Sequence, residues 1–335
     1  MFLVTGAAGF LGSEIVRQLL LAGERVRALI LPGDPLGRLL PAQAEQVSGD
    51  LLNAGDMERF FDLAPGTQAR VIHCASMITM SMKPQEMVYR VNVRGTQELA
   101  ARCMARGVPL VYVGSVHAIP ELPHGRVMSE PEAVDPNLVV GYYAKTKAMA
   151  ARGVMQARQA QGLRASVVYP AGLSGPGDEG RGNLTQLFLD YLDGSIPFGV
   201  KGGYNFADVR DVAAAIVTLA RGDNLGRDYV LSGEYISIMD ILSVFHQVSG
   251  GRRIIARVPL WLARAALPLM SLGYKIRGVK PVFSAYSLYT INANSHFDAS
   301  RARQELGYAP RPIRETLADT ARWLMARREQ GMKEL

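Results

Sequence analysis

The N-terminal end of the chain constrains its fold more than any other stretch. Phe2-Leu3-Val4 is a short apolar run that reads as a buried strand. It leads into Thr5-Gly6-Ala7-Ala8-Gly9-Phe10-Leu11-Gly12, and residues 14–21 then read as a helix with Ile15, Leu19 and Leu20 on one face. Strand, glycine turn, helix is the context in which a glycine pattern binds a nucleotide. Gly6 lets the chain turn sharply. A middle glycine lets backbone approach a pyrophosphate with no Cβ in the way, and Gly12 lets the helix pack close to the sheet. The helix N-terminus adds free N–H groups and a partial positive charge. The spacing is GxxGxxG rather than GxGxxG. The bland alternative is a structural strand–turn–helix whose glycines are incidental.

Residues 25–31 supply the next strand. About 20 residues beyond such glycines, an acidic side chain holds the ribose hydroxyls of NAD. Here Ile30 and Leu31 occupy that place, no carboxylate is there to repel a 2′-phosphate, and Arg38 lies a few residues on. The pattern favours NADP over NAD; Asp34 serves NAD only if its loop turns back. Asp50, after a strand at 44–48, is placed either to contact an adenine or to cap a helix.

A second segment carries chemistry. Leu110-Val111-Tyr112-Val113-Gly114-Ser115 is a β-branched and aromatic run ending in a serine. Parallel α/β sheets bind ligands at the carboxyl ends of their strands. Tyr143 and Lys147 stand four apart at the head of a helix and share a face. A free phenol, with a pKa of about 10, is a poor acid–base group near neutrality. A nearby ammonium and a nicotinamide's positive charge lower that value. Ser115 then holds the substrate oxygen whose proton Tyr143 exchanges, and Lys147 also reaches the nicotinamide ribose. Alone, Tyr-x-x-x-Lys is a common accident on helices, with Tyr142 and Lys145 as misleading neighbours. The glycine segment upstream and the strand-end serine make accident a poor account.

Together these segments resemble the extended short-chain dehydrogenase/reductases, also called the NAD-dependent epimerase/dehydratase family, over nearly the whole chain. Val91-Asn92-Val93-Arg94-Gly95-Thr96 is similar to the family's NVxGT, and Tyr169-Pro170-Ala171-Gly172-Leu173-Ser174-Gly175-Pro176 to the stretch after its sixth strand. Phe206-Ala207-Asp208-Val209-Arg210-Asp211-Val212-Ala213 is similar to (Y/F)xxVxDVA, and residues 298–308 resemble the closing stretch that ends ELGY. The resemblance implies an α/β fold: a Rossmann-type doubly wound parallel sheet with a smaller C-terminal α/β substrate lobe. It implies a catalytic set of Ser115, Tyr143, Lys147 and Asn92. Asn92 would anchor a water in the proton relay, its alternative being a capping or packing amide. Cofactor contacts are implied for Gly6, Ala8, Gly9, Phe10, Leu11, Gly12, Arg38, Asp50, Leu51, Ala75, Tyr143, Lys147 and Pro170. A homodimer joined through helices at about 90–106 and 143–161 is implied as well.

The family holds two chemistries. Nucleotide-sugar epimerases and dehydratases keep NAD bound, whereas reductases resembling dihydroflavonol reductases and 3β-hydroxysteroid dehydrogenases release the oxidised cofactor each cycle. Sugar-nucleotide members commonly place arginines before the Phe206 motif and before the closing stretch, since a planar guanidinium suits a diphosphate. Here the first place holds Tyr204-Asn205, and residues 284–295 contain no Lys or Arg. A diphosphate is left with Arg252, Arg253 or Arg257. The preferred reading is therefore an NAD(P)-dependent oxidoreductase moving a hydride between nicotinamide and a ketone or aldehyde, or the corresponding secondary alcohol. The alternatives are a nucleotide-sugar epimerase or dehydratase with retained NAD, and a non-enzymatic nucleotide sensor. The presence of both Tyr143 and Lys147 counts against the sensor.

Residues 76–82 carry Met77, Met80 and Met82, either as a flexible apolar wall for hydrophobic substrates or as core filling. His117 either faces the pocket or is a satisfied structural residue. Cys74 reads as a small buried hydrophobe, with no electropositive motif around it.

Length and composition bound the rest. The 335 residues, 48% hydrophobic, are roughly two domains' worth of chain. The dinucleotide unit is expected over 1–170 plus about 204–233. Its strands fall at 2–5, 25–31, 44–48, 70–74, 109–114, 164–169 and 229–231, with a helix over 208–220. The substrate lobe takes about 171–203 plus 234–335. Two cysteines, Cys74 and Cys103, lie far apart without metal spacing and suit a reducing, cytoplasmic setting. A first strand starting at residue 2 leaves no room for a signal peptide. No apolar run approaches the roughly 20 residues of a membrane span, and no metal site is expected. The net charge of +7 is uneven: residues 250–280 hold seven Lys or Arg and no Asp or Glu. That stretch is also apolar. It reads as a peripheral contact for an anionic membrane, a lid over an acidic substrate, or a solvated basic face. No nucleic-acid motif accompanies the charge.

Overall fold

The computed structural model describes residues 1–330 apart from 224, 264 and 266–283. β1 (Phe2–Thr5), β2 (Val26–Ile30), β3 (Glu45–Ser48), β4 (Arg70–His73), β5 (Leu110–Val113), β6 (Ala165–Pro170) and β10 (Tyr229–Leu231) form one seven-stranded sheet in the order β10-β6-β5-β4-β1-β2-β3. Every pairing in it is parallel. The order reverses direction between β1 and β4, which opens a crevice at the carboxyl ends of those strands.

Residue alternation explains the two covered faces. Side chains on a strand point to opposite sides in turn. Leu3, Val71, Leu110 and Val167 pack on one side, with α2 (Ala54–Phe61), α4 (Thr96–Ala105) and α5 (Tyr142–Gln161). Val4, Ile72, Val111 and Val168 pack on the other, with α1 (Phe10–Leu21) and α7 (Val209–Arg221). Both faces are buried, so the strands read as continuous apolar runs. Most strands are a residue shorter than the sequence predicts at one or both ends. The larger difference is α1, which begins at Phe10 rather than 14 and so starts directly on the glycine turn.

A smaller set of elements stands at the carboxyl edge of this sheet. β7 (Gly172–Ser174) pairs parallel with β9 (Gly203–Asp208), which pairs antiparallel with β11 (Glu234–Ser237). β8 (Gly199–Val200) pairs with β12 (Arg257–Val258). Strand β9, which the sequence reading groups with the first unit from about 204, thus hydrogen-bonds with β7 and β11 instead. A third core, including Phe188, Ile236, Ile241, Phe245, Leu288 and Leu317, joins α6 (Asn183–Leu192), α8 (Ile238–Ser249), α9 (Ala285–Thr290) and α11 (Ile313–Glu329). Between β10 and α11 lies α10 (Ser300–Leu306).

The Phe206 motif ties these parts together. Asp208 is fully buried, caps α7 by accepting from the Arg210 N–H at 2.8 Å, and takes the Arg210 guanidinium and the Thr316 hydroxyl on its oxygens. Asp211 pairs with Arg311 at 2.7 Å. A buried carboxylate survives only when so surrounded, and here its partners come from α7 and α11. The basic 250–280 stretch is described only in part: Arg252, Arg253, Ile255 and Trp261 are exposed, while residues 264 and 266–280 lie outside the described residues. Among the described residues, no helix is long and apolar enough to cross a membrane.

Candidate active site

The residues singled out in the sequence gather at the carboxyl edge of the large sheet. Thr5 ends β1 and Gly6 follows it, Ile30 ends β2 and Leu31 follows it, and Asp50 and Leu51 follow β3. Ala75 follows β4, Ser115 follows β5, and Pro170 ends β6.

The glycine turn is tight for reasons visible in its neighbours. Gly6 has φ +65°, and a Cβ there would meet the Ala75 backbone N at 2.5 Å. At Gly12 a Cβ would sit 2.1 Å from the Gly6 carbonyl oxygen. The sequence reading gave Gly12 to helix–sheet packing; the structure corrects this, since it lets the helix close on the glycine turn itself. Gly9 is exposed, and a Cβ there would meet only the Gly6 carbonyl oxygen, at 3.2 Å. Its outer side is open. With Ala8, Phe10 and Leu11 completing the head of α1, this cradle fits the pyrophosphate of a dinucleotide.

Beyond β2, Asp34 caps a short 3₁₀ turn (Pro35–Leu39) by accepting from the Leu36 N–H at 2.9 Å. Arg38 on that turn is exposed, its Nε donating to the Pro35 carbonyl at 3.4 Å. Asp50 makes a local turn by accepting from the Leu52 N–H at 2.9 Å. It does not cap a helix; Asn53 caps α2.

Asn92 sits in a π-helical turn (Arg90–Gly95) between α3 (Glu86–Tyr89) and α4. Such turns cost regular hydrogen bonds and recur at functional sites. The buried Asn92 amide donates to the Met77 carbonyl at 2.9 Å and the Thr146 hydroxyl at 3.0 Å, and accepts from the Met77 N–H at 2.7 Å. It holds the 76–77 segment against α5. A buried chain runs behind it. The Thr96 hydroxyl donates to the Asn92 carbonyl at 2.8 Å, so it accepts from His73 Nε2–H at 2.9 Å. His73 Nδ1 then accepts from the Thr5 hydroxyl at 2.6 Å, and the Ala75 N–H donates to Thr5 Oγ1 at 3.4 Å. The donors and acceptors close only if His73 is neutral with its proton on Nε2. Burial, aided by the Lys147 charge, lowers the His73 pKa to about 3, in agreement.

Lys147 is buried, donates to the Val113 carbonyl at 2.8 Å, and lies 5.1 Å from the centre of the Tyr112 ring. Burial lowers its pKa to about 7. Tyr143, one turn earlier, is half-buried. Burial raises its pKa to about 12, opposed by hydrogen bonding with Ser115 and Ser76. The lowering expected from Lys147 is not delivered by the protein's own groups, because desolvation outweighs them. Ser115 also accepts from the His117 N–H at 3.2 Å. The His117 ring packs 6.3 Å from that of Tyr143 and 6.1 Å from that of Tyr286. Burial lowers the His117 pKa to about 4, so the ring is neutral. Cys74 is no nucleophile here, since burial raises its pKa to about 12. Of the three methionines, Met77 and Met82 are exposed rather than core filling and Met80 is half-buried; Ile78 between them is exposed.

The sequence reading missed Ser76, His73, Thr5, Thr96 and Thr146 as partners of this group, and Tyr286 across from it. Thr5, Ser76 and Thr96 lie inside stretches it quoted, Thr146 lies between Tyr143 and Lys147, and His73 stands in a strand it placed; Tyr286 is far away in sequence and carries no local signal.

This fold and this cluster define a class: an NAD(P)-dependent oxidoreductase of the extended short-chain dehydrogenase/reductase type, acting on a small molecule. The family model described as "NAD dependent epimerase/dehydratase family" matches residues 2–232, and the chain belongs to that family. The chain is 30% identical, over 98% of its length and 99% of the relative's, to "Sterol demethylase protein B" of Methylococcus capsulatus. It is 26% identical to "3beta-hydroxysteroid-dehydrogenase/decarboxylase isoform 1" of Arabidopsis thaliana, over 95% of this chain and 78% of that one. Among solved structures, that of gox2253 superimposes with a TM-score of 0.83 at 28% identity, covering 100% of this chain and 99% of that chain.

Proposed function

We propose that the protein interconverts a ketone or aldehyde and the corresponding alcohol on a fairly apolar substrate, with a cofactor that leaves after each turnover. One observation carries this choice over sugar-nucleotide chemistry. At the place where a diphosphate-binding arginine would stand, Tyr204 and Asn205 are already committed. The Tyr204 hydroxyl bonds with Thr290 Oγ1 at 2.5 Å, and the Asn205 amide accepts from the Gly233 N–H at 2.9 Å and donates to the Ser295 carbonyl at 3.3 Å. The exposed methionines and Ile78 beside the cleft suit an apolar ligand, as do the sterol-related names of the two relatives.

When bound, the nicotinamide supplies or accepts hydride at the reacting carbon. The chain's own part is proton handling and orientation. Ser115 holds the substrate oxygen, and Tyr143 donates its proton in reduction or takes it up in oxidation. Lys147, fixed on Val113, supplies positive charge, and Asn92 fixes the segment beside the reacting centre. Leu31 at the β2 end and the exposed Arg38 favour NADP, since the Asp34 carboxylate is turned to capping. The same proposal includes the two-lobe division read from the sequence, with β9 grouped with β7 and β11 in the substrate lobe, and a cytoplasmic homodimer joined through α4 and α5, tested by sedimentation. The exposed Ile255 and Trp261 with Arg252 and Arg253 suit a peripheral contact with an anionic membrane, tested by vesicle cosedimentation.

The deciding experiment is to denature the purified protein and identify released nucleotide by mass. Little released nucleotide, with tighter binding of added NADPH than NADH, is the expected result. Stoichiometric NAD would instead mean a cofactor recycled in place, as in an epimerase or dehydratase.

A further inference from the structure

Tyr286 is only 3% exposed, and its buried hydroxyl has no hydrogen-bond partner among the described residues. Leaving such a group unmade costs about 1–3 kcal/mol, so it calls for a reason. Looseness is not the reason. Ser284 and Ser287 close a capping box at the start of α9. Its neighbours' hydroxyls are committed, Tyr204 to Thr290 and Tyr289 to Glu121. Asn294, just beyond α9, donates to the carbonyls of Leu122, Pro123 and Arg126. Among the described residues two other tyrosine hydroxyls, of Tyr112 and Tyr308, also lack partners, but those residues belong to the hydrophobic cores of the large sheet. Tyr286 belongs to none of the three cores.

Its surroundings are the active site. The ring lies over Gly141, two residues before Tyr143: a Cβ on Gly141 would come within 2.1 Å of it. The rings of Tyr143, His117 and Tyr286 follow one another at 6.3 and 6.1 Å. One aromatic wall therefore runs from the proton-transfer group to an uncommitted hydroxyl on the opposite lobe.

We propose that Tyr286 is a specificity-determining residue: its hydroxyl hydrogen-bonds a second oxygen on a flat, largely apolar cyclic ketone or alcohol whose reacting oxygen lies at Ser115 and Tyr143, and its ring and that of His117 pack along the substrate's face. This rests on the dehydrogenase reading above. A group built to bond a substrate oxygen discriminates strongly against the analogue lacking it, because it is then left buried and unmet.

Tyr286→Phe keeps the ring and removes the hydroxyl. In the free protein the variant's Tm should rise, by about 2–4 °C, because a buried unpaired group is gone. Turnover is then measured with NADPH on 1-tetralone and its singly hydroxylated derivatives. Wild type should favour at least one hydroxylated ketone in kcat/KM by about tenfold or more, and Tyr286→Phe should bring that ratio toward one. A lowered Tm overturns the inference, since the hydroxyl would then be a structural donor. So does a wild type without preference, or a preference that survives in Tyr286→Phe. A wild type that reduces no ketone with either nicotinamide overturns the dehydrogenase reading itself, and the inference with it; that failure shows in the unmutated protein.

Discussion

The two sides of the cleft differ in how completely their buried polar groups are satisfied. On the sheet side, polar side chains are used up. Thr5, His73, Thr96 and Asn92 form one closed hydrogen-bonded chain, and Lys147 is fixed on Val113. On the far side Tyr204, Tyr289 and Asn294 are bonded too, but the buried Tyr286 hydroxyl has no partner among the described residues. Within the sheet side the two histidines differ in the same way. Both are neutral through burial, but His73 is bonded on both ring nitrogens while His117 is held by ring packing beside Tyr143. A site that must place one cofactor and one proton gains from rigidity. A site that must choose a substrate keeps its polar groups in reserve.

Variants can break or sharpen this contrast. The largest effect is expected from Tyr143→Phe, which should lower kcat by about 10²–10⁴-fold while cofactor titration still saturates. Retained turnover would remove Tyr143 from its role. Next comes pH. Lys147 is charged below its pKa of about 7, and the Tyr143 phenol keeps its proton to about 12. Reductive kcat/KM should be level in weak acid and fall about tenfold per unit above pH 7, as the ammonium is lost. Lys147→Arg should move that limb upward. A limb near 10 that ignores Lys147 would show the phenol in control.

Gly12→Ala drives a Cβ toward the Gly6 carbonyl oxygen, where only backbone can give way. A cost of about 1–3 kcal/mol is expected, read as weaker cofactor binding and a lower Tm. His73→Phe should destabilise by about 1–3 kcal/mol by stranding the Thr5 hydroxyl, whereas His117→Phe should act mainly on KM. Equal losses of Tm in the two variants would erase the distinction between the bonded and the packed histidine. The smallest effect is at the exposed Arg38: Arg38→Ala should weaken NADPH by a few-fold, about 0.5–1 kcal/mol, and leave NADH unchanged. Equal weakening of both would remove the 2′-phosphate contact.

Much of the sheet side was legible because its signals are local. The strand runs at 2–5 and 229–231 coincide with β1 and β10, and the glycine turn, Ser115 and the Tyr143–Lys147 pair each lie within a few residues of a strand end or helix head. One local expectation still failed: helix α1 starts at Phe10 rather than 14. Two others were incomplete: Asp50 forms a local turn, so the capping alternative falls, and in the protein alone burial raises the Tyr143 proton affinity. Each depends on what packs against the residue.

The sequence by itself marked the strand–helix alternation of a parallel sheet, the glycine turn at Gly6, Gly9 and Gly12, and the proton-transfer candidates. Glycine placement and apolar periodicity act over a few residues and need no distant partner. Only the tertiary structure decided which polar groups are spent and which are free. It set His73 between Thr5 and Thr96, turned Tyr204 and Asn205 inward, and brought Tyr286 over Gly141 from well over a hundred residues away. Hydrogen-bond satisfaction and desolvation belong to the assembled neighbourhood, and no stretch of sequence contains that neighbourhood.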